Sequence, residues 1–392
     1  MADHFSDILV IGGGMAGISI ASHLAEHARV RVLEMESHPG YHSTGRSAAL
    51  FTEAYGNPVI RSLSRASRPL FFSPPDDFTA APLVRPRLVL VFGHAGQEAA
   101  FADYVADEAG YGQLRLVSAD EAFALSPVLR REGLLGGLVD DDAADIDVHQ
   151  LQQSYLGRLR QAGGQLSTET KVSGLTRAGA GWEVECGDEI YRAAVVVNAG
   201  GAWAGEIGLM AGAMDIGLEP LRRTAALVEA ATNDAWPLIL GVGERFYAKP
   251  DAGLLLVSPE DETPSPPCDA YPDELDVAIA VDRLQNATTL EIRRVRSKWA
   301  GLRSFVEDRS PVVGFDVRQP GFFWLAALGG YGIQTAPALS RIAANLVLGR
   351  PLAAAELDIR LSDISPARLP AANLIAEGAQ TLGTPNLQGE SI

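Results

Sequence analysis

The chain has 392 residues, 47% of them hydrophobic and 21% charged, with a formal net charge of −17. That length exceeds one small core and predicts two domains, while the acidity argues against a nucleic acid partner, because phosphate binding needs clustered Lys and Arg. Cys186 and Cys268 are the only cysteines, too few for a disulfide framework and not spaced as metal ligands, so no metal is expected and a cytoplasmic location fits.

In chain order, residues 7–12 read as a buried strand, 15–27 as a helix and 30–34 as a second strand, a βαβ opening. The start MADHFSDILVIGGG lacks a basic n-region and breaks at glycines, unlike a signal peptide. Residues 51–145 and 216–300 differ in character, with more prolines, aromatics and alternating strand patterns. Residues 147–162 have helical spacing with Asp147 placed as N-cap, and 183–197 read as a hairpin running into a buried strand. The apolar stretch 193–214 carries Asn198 and Glu206 and is broken by glycines, which predicts strand, loop and helix with no membrane-spanning segment. The acidic, proline-rich run 258–274 reads as an exposed loop. Residues 321–328 read as a strand, 329–335 as a glycine-rich turn and 336–349 as a helix; the end, 376–392, reads as a loose tail.

The pattern predicts an α/β (α+β) chain: a discontinuous Rossmann-like nucleotide domain from residues 1–50, 146–215 and 301–375, and a substrate domain on a mostly antiparallel sheet from 51–145 and 216–300. Gly12, Gly14 and Gly17 form G-x-G-x-x-G between strand and helix. They allow a tight turn, close approach of a pyrophosphate and helix–strand packing, with the phosphate charge favoured at the helix N-terminus. Glu34 ends the second strand, where a carboxylate can accept from an adenosine ribose. The opening motif fits FAD or NAD, but the chain then enters the loop S-T-G-R-S-A instead of further βαβ repeats, which favours FAD. Residues 327–335, ALGGYGIQT, offer main-chain NH groups and a helix N-terminus to a flat ligand that gains negative charge on reduction. Arg303 lies in the apolar stretch WAGLRSF, where a guanidinium needs an anion; that anion is a ligand carboxylate or a protein Asp or Glu.

The stretches DILVIGGGMAGISIASHL, VLEMESHPGYHSTGRSA, RAAVVVNAGGAW, ERFYAKPDAG, WAGLRSF and FFWLAALGGYGIQT together resemble the FAD-dependent D-amino-acid oxidase, glycine oxidase and sarcosine oxidase family, most of all its bacterial D-arginine dehydrogenase type. The resemblance runs from about residue 5 to 370. It implies that Ala16, Glu34 and Met35 lie against the adenosine, that Ser43, Thr44, Gly45, Arg46, Ser47, Ala48 and Ala49 lie against the pyrophosphate and isoalloxazine, and that Val172 bonds the adenine through its backbone. Gly329, Gly330, Tyr331, Gly332, Ile333 and Gln334 would face the flavin. Tyr247 and Arg303 would bind the substrate carboxylate with Arg223 close by, Tyr55 would sit on a loop closing the site, and the Gly330 carbonyl would meet the amine. Where D-arginine-type enzymes carry a histidine and a glutamate, this chain has Leu50 and Val89.

The implied reaction is oxidative deamination of a D-amino acid with a neutral, apolar side chain. Hydride passes from Cα to flavin N5, and the imino acid is hydrolysed to a 2-oxo acid and ammonia. The rivals are oxidation of a secondary amine, such as a D-proline derivative or an N-methyl amino acid, and a non-catalytic flavin-binding subunit. Neither cysteine lies in an attachment segment, so non-covalent FAD is expected. The electron acceptor leaves no mark in the sequence.

Overall fold

The computed structural model describes residues 4–111, 113–243, 246–352 and 358–370. The expected tail 376–392 and the last part of the third nucleotide-domain segment lie outside these residues.

The βαβ opening forms as the sequence reads. The strand His4–Ile11 pairs in parallel with Val30–Leu33 on one side and Glu189–Asn198 on the other. Its residues Leu9, Val10 and Ile11 are buried, as a strand covered on both faces requires. Gln165–Ser167 extends the parallel edge, Phe322–Ala326 pairs in parallel with Val196–Asn198, and the antiparallel strands Gly174–Ala178, Gly181–Cys186 and Val312–Phe315 complete an eight-stranded sheet. The helices Met15–Leu24, Val148–Gln161, Pro58–Phe72 and Gly332–Val347 share one core on one face. Trp182, Phe322 and Trp324 lead a second core with the helix Ala204–Met210. The stretch 193–214 is thus strand, turn and helix as predicted, and among the described residues no helix is long and apolar enough to cross a membrane.

A nine-stranded, mostly antiparallel sheet forms the second layer. Its order runs Thr263–Pro264, Glu219–Glu229, Leu254–Ser258, Phe246–Asp251, Leu238–Gly241, Val89–His94, Leu134–Asp140, Arg115–Val117, with Arg294–Phe305 on the free side of Glu219–Glu229. Leu90, Phe92, Ile239 and Ala248 point to one face and pack on the helices Ala119–Leu125 and Glu274–Ala287. Val89, Val91, Leu238 and Tyr247 point to the other, toward the first sheet. The boundary expected at residue 301 falls inside Arg294–Phe305, whose pairing continues through Arg303 to Phe305, so this whole strand belongs to the second sheet. The segment 51–145 also holds the helix Pro58–Phe72, where Asn57 Oδ1 accepts from Ile60 N at 3.1 Å and Pro58 opens the first turn.

Candidate active site

A long cleft runs between the two layers. One end is shaped by the glycine motif. Gly12 has φ +104°, and a Cβ there would sit 2.4 Å from Ala199 O; a Cβ on Gly17 would sit 1.9 Å from Gly12 O. Gly17 therefore lets the helix meet the strand beneath the cleft, while Gly12 and Gly14 line it. Gly14 caps Met15–Leu24 without a side-chain bond of its own, and the Met15 NH donates to Thr44 Oγ1 at 3.0 Å. Glu34 is 7% exposed. Its two carboxylate oxygens accept from Gly13 N at 2.6 Å and Glu36 N at 2.9 Å, which fixes the carboxylate at the cleft edge and leaves lone pairs for a ribose. Ala16, Met35 and Val172 line the same end.

The loop after Glu34 passes along the cleft. Ser43, Thr44, Arg46, Ser47 and Ala48 line it, with Ser43 Oγ donating to Leu302 O at 2.6 Å. Gly45 turns inward, since a Cβ there would lie 2.7 Å from Gly40 O. The Arg46 guanidinium is already committed: it donates to Ala270 O at 3.0 Å and Ala300 O at 2.9 Å and pairs with Asp269. Its contribution to the cleft is its stem and its backbone. Ala49 takes φ +34° and leads into an inner cavity that opens from the cleft.

Cleft and inner cavity share Ser47, Ala48, Arg223, Tyr247, Arg303, Gly330 and Ile333. The turn at 329–333 stands at this junction. Gly329 has φ +53° and would strike Phe305 if it carried a Cβ, and the helix Gly332–Val347 starts there with no side-chain cap, leaving NH groups for an acceptor. Gly329, Gly330, Gly332 and Ile333 line the cleft. Tyr331 instead packs with Ile60, Leu221 and Phe305, its ring 5.1 Å from that of Tyr55. The Gln334 amide reaches the inner cavity but is bonded to Thr52 N and Ser64 Oγ.

The two arginines differ sharply. Arg223 donates Nε to Asp261 O at 2.8 Å and Nη2 to Glu262 at 3.2 Å, so most of its charge is answered by protein. Arg303 forms no hydrogen bond or ion pair among the described residues, although it lies in the buried junction. Burial opposes its charge, but Tyr247, Tyr55 and Glu260 around it outweigh that and hold its pKa above the ordinary value. For Arg223, burial and then the Arg303 charge act the other way. The structural ion pair left open by the sequence is thus absent at Arg303 among the described residues.

Leu50, Val89 and Tyr55 line the inner cavity, together with Val91, Leu238 and Leu240. Asp140, Glu260 and Tyr104, which the sequence reading did not single out, line it too. Asp140 opens an Asp-Asp-Asp run that reads as an exposed turn, and only the strand phase from Leu134 could have turned it inward.

A family model described as FAD dependent oxidoreductase (DAO) matches residues 7–346. Glycerol-3-phosphate dehydrogenase 1 of Mycobacterium tuberculosis is 27% identical over 336 residues, covering 77% of this chain; the chain spans 63% of that protein's length. Among solved structures, glycine oxidase from Geobacillus kaustophilus aligns with TM-score 0.78 at 21% identity over 91% of this chain and 98% of that one. L-proline dehydrogenase from P. horikoshii aligns with TM-score 0.79 at 21% identity, over 94% and 98%. The resemblance to the glycine oxidase group and the α/β fold are borne out, the cofactor is FAD, and the chain belongs to the FAD dependent oxidoreductase family.

Proposed function

We propose that this enzyme oxidises the α-amine of a D-amino acid with a neutral side chain, releasing an imino acid that water hydrolyses to a 2-oxo acid and ammonia. In the same reading the first layer is the cofactor domain and the second the substrate domain. The observation that carries it is Arg303: a buried guanidinium with no hydrogen bond or ion pair among the described residues, at the junction of cofactor cleft and inner cavity, asks for a ligand that brings a bonded anion. A carboxylate meets a guanidinium with two parallel hydrogen bonds, and the Tyr247 hydroxyl adds a third donor. Bound FAD supplies the hydride acceptor. The chain's own residues hold the α-carbon beside it: Arg303 and Tyr247 through the carboxylate, the Gly330 carbonyl through the amine, and Ser47, Ala48 and Ile333 by closing the junction to water.

Leu50, Val89, Val91, Leu238 and Leu240 give the inner cavity apolar walls. They favour aliphatic stems at about 0.8 kcal/mol per buried methylene, and Leu50 and Val89 stand where the D-arginine dehydrogenase type carries a histidine and a glutamate, which supports a neutral side chain over that of D-arginine. The relatives are named for glycine, L-proline and glycerol 3-phosphate, so the decisive experiment is an anaerobic flavin-bleaching screen over D-amino acids, L-amino acids, secondary amines and glycerol 3-phosphate. Faster bleaching by D-leucine or D-methionine than by their L forms, D-arginine or proline supports the reading. Bleaching by glycerol 3-phosphate alone overturns it.

A further inference from the structure

Asp140 ends its strand directly opposite Val89, which is itself opposite Leu238 on the far side. Opposed residues share a face, so a carboxylate stands in a row of apolar side chains, and all three line the inner cavity. Its neighbours in sequence point elsewhere and are paired: Asp141 with Arg115 at 3.1 Å and Asp142 with Arg68 at 3.8 Å. Asp140 is 6% exposed and has no ion-pair partner among the described residues. Oδ2 accepts from the Thr52 hydroxyl and Oδ1 from the Asp142 NH at 3.0 Å. A carboxylate has about four acceptor sites, so about two remain for a donor in the cavity. Burial raises its pKa above the ordinary value, the signature of an anion whose desolvation is incompletely answered.

The position along the cavity is set by strand order. Tyr247 stands on Phe246–Asp251, and Leu238–Gly241 and Val89–His94 intervene before Leu134–Asp140. Three strand spacings are about 14 Å, so Asp140 lies at the far end from the carboxylate clamp, where the tip of a substrate side chain would reach.

We propose that Asp140 is a specificity-determining residue that accepts a hydrogen bond from a compact donor at the tip of the substrate side chain, so that the favoured substrates are D-amino acids with a short apolar stem ending in a hydroxyl or amide. This rests on the amino-acid reading above. A carboxylate with about two acceptor sites still open answers a single hydroxyl or amide donor fully, and the apolar walls beside it suit the stem that carries that donor.

The test compares kcat/KM of the FAD-loaded enzyme for pairs that differ by hydroxyl against methyl at increasing reach: D-homoserine with D-norvaline, and D-5-hydroxynorvaline with D-norleucine. In at least one pair, Asp140→Val should lower the hydroxyl-to-methyl ratio about tenfold, the worth of about one hydrogen bond to a charged acceptor, and Asp140→Asn should shift it the same way. Thr52→Val removes the anchoring hydroxyl but keeps the carboxylate, and should leave the ratio at or above that of the parent enzyme. Ratios within twofold of the parent in both Asp140 variants overturn the proposal, as does a loss in Thr52→Val equal to that in Asp140→Val, which would make Asp140 only an anchor for Thr52. If Asp140→Val does not fold, Asp140→Asn decides. Should no amino acid bleach the parent flavin, the amino-acid reading falls and this one with it.

Discussion

A Cβ built on Gly330 would lie 2.7 Å from Nη1 and 3.2 Å from Cζ of Arg303, so the turn at 329–333 leaves no room for a side chain beside the Arg303 guanidinium. Gly330 does not take a positive φ, so alanine suits its backbone and the nearest obstacle is the guanidinium. Gly330→Ala should displace Arg303, at an overpacking cost of about 1–3 kcal/mol, and lower kcat/KM at least tenfold while flavin content stays near that of the parent. Unchanged kinetics on a yellow, folded variant would show that Arg303 need not stand where it does.

Arg303→Lys and Arg303→Ala test the clamp itself. Lysine offers a point charge in place of a planar fork. Losing one partner of a desolvated charge pair costs about 2–5 kcal/mol, so both variants should lose most of their catalytic efficiency while retaining FAD. Steady-state kinetics beside the flavin absorbance of the same preparation decide the matter; near-normal efficiency in the alanine variant assigns Arg303 a structural role.

Gly12→Ala forces a side chain into φ +104° with its Cβ 2.4 Å from a backbone oxygen, Ala199 O. The neighbour is main chain and has little freedom to yield, and a strained conformation of this kind costs about 1–3 kcal/mol before the clash is counted. The variant should purify with little flavin and melt at lower temperature. Full flavin content and a parental melting curve would mean that the turn relaxes freely.

Oxygen should react slowly with the reduced enzyme. Of the three lysines in the sequence, Lys249 is buried against Asp145 at 2.6 Å, Lys298 pairs with Glu274, and Lys171 lines the cleft at the end held by Val172 and Glu34. None lines the inner cavity. Stopped-flow mixing with oxygen measures the step directly, and peroxide formed as fast as turnover would refute the expectation.

Acid should weaken the fold through His23. Its Nε2 is shielded from solvent and has no hydrogen-bond partner among the described residues; burial, then the charges of Arg158 and Arg341, push its pKa down to about 3. The unfolded imidazole takes up its proton near 6.5. With the folded value below the unfolded one, this contribution is fully present above about pH 6.5 and is lost as pH falls toward 3. Melting temperature should therefore drop between pH 6.5 and 4, and His23→Leu should flatten that limb. Asp7, Asp269 and Asp308, whose pKa values are also lowered, start from 3.8, and Glu98 and Glu121 from 4.5, so these act at the acid end of this window and below it. Parallel slopes in the two proteins would remove His23 as the cause.

The glycine turns of the first layer were legible in the amino-acid order alone, because each of them is local. Gly12, Gly14 and Gly17 sit within one strand–turn–helix unit, Glu34 closes the next strand, and the turn at 329–333 links a strand to the helix that follows, so spacing alone carries their geometry. The same locality made Asp147 legible as a helix cap. The inner cavity belongs to the tertiary structure, because its walls come from strands whose neighbours are distant in the chain. Val89 meets Leu238 and Asp140 only through sheet register, and Thr52 meets Asp140 across 88 positions. Whether a charged side chain has a partner is likewise a property of the assembled layers: Arg223 and Arg303 lie in neighbouring strands of one sheet, yet of the two only Arg223 hydrogen-bonds a carboxylate among the described residues. A run of aspartates reads as solvent-exposed until the pleat turns one of them inward.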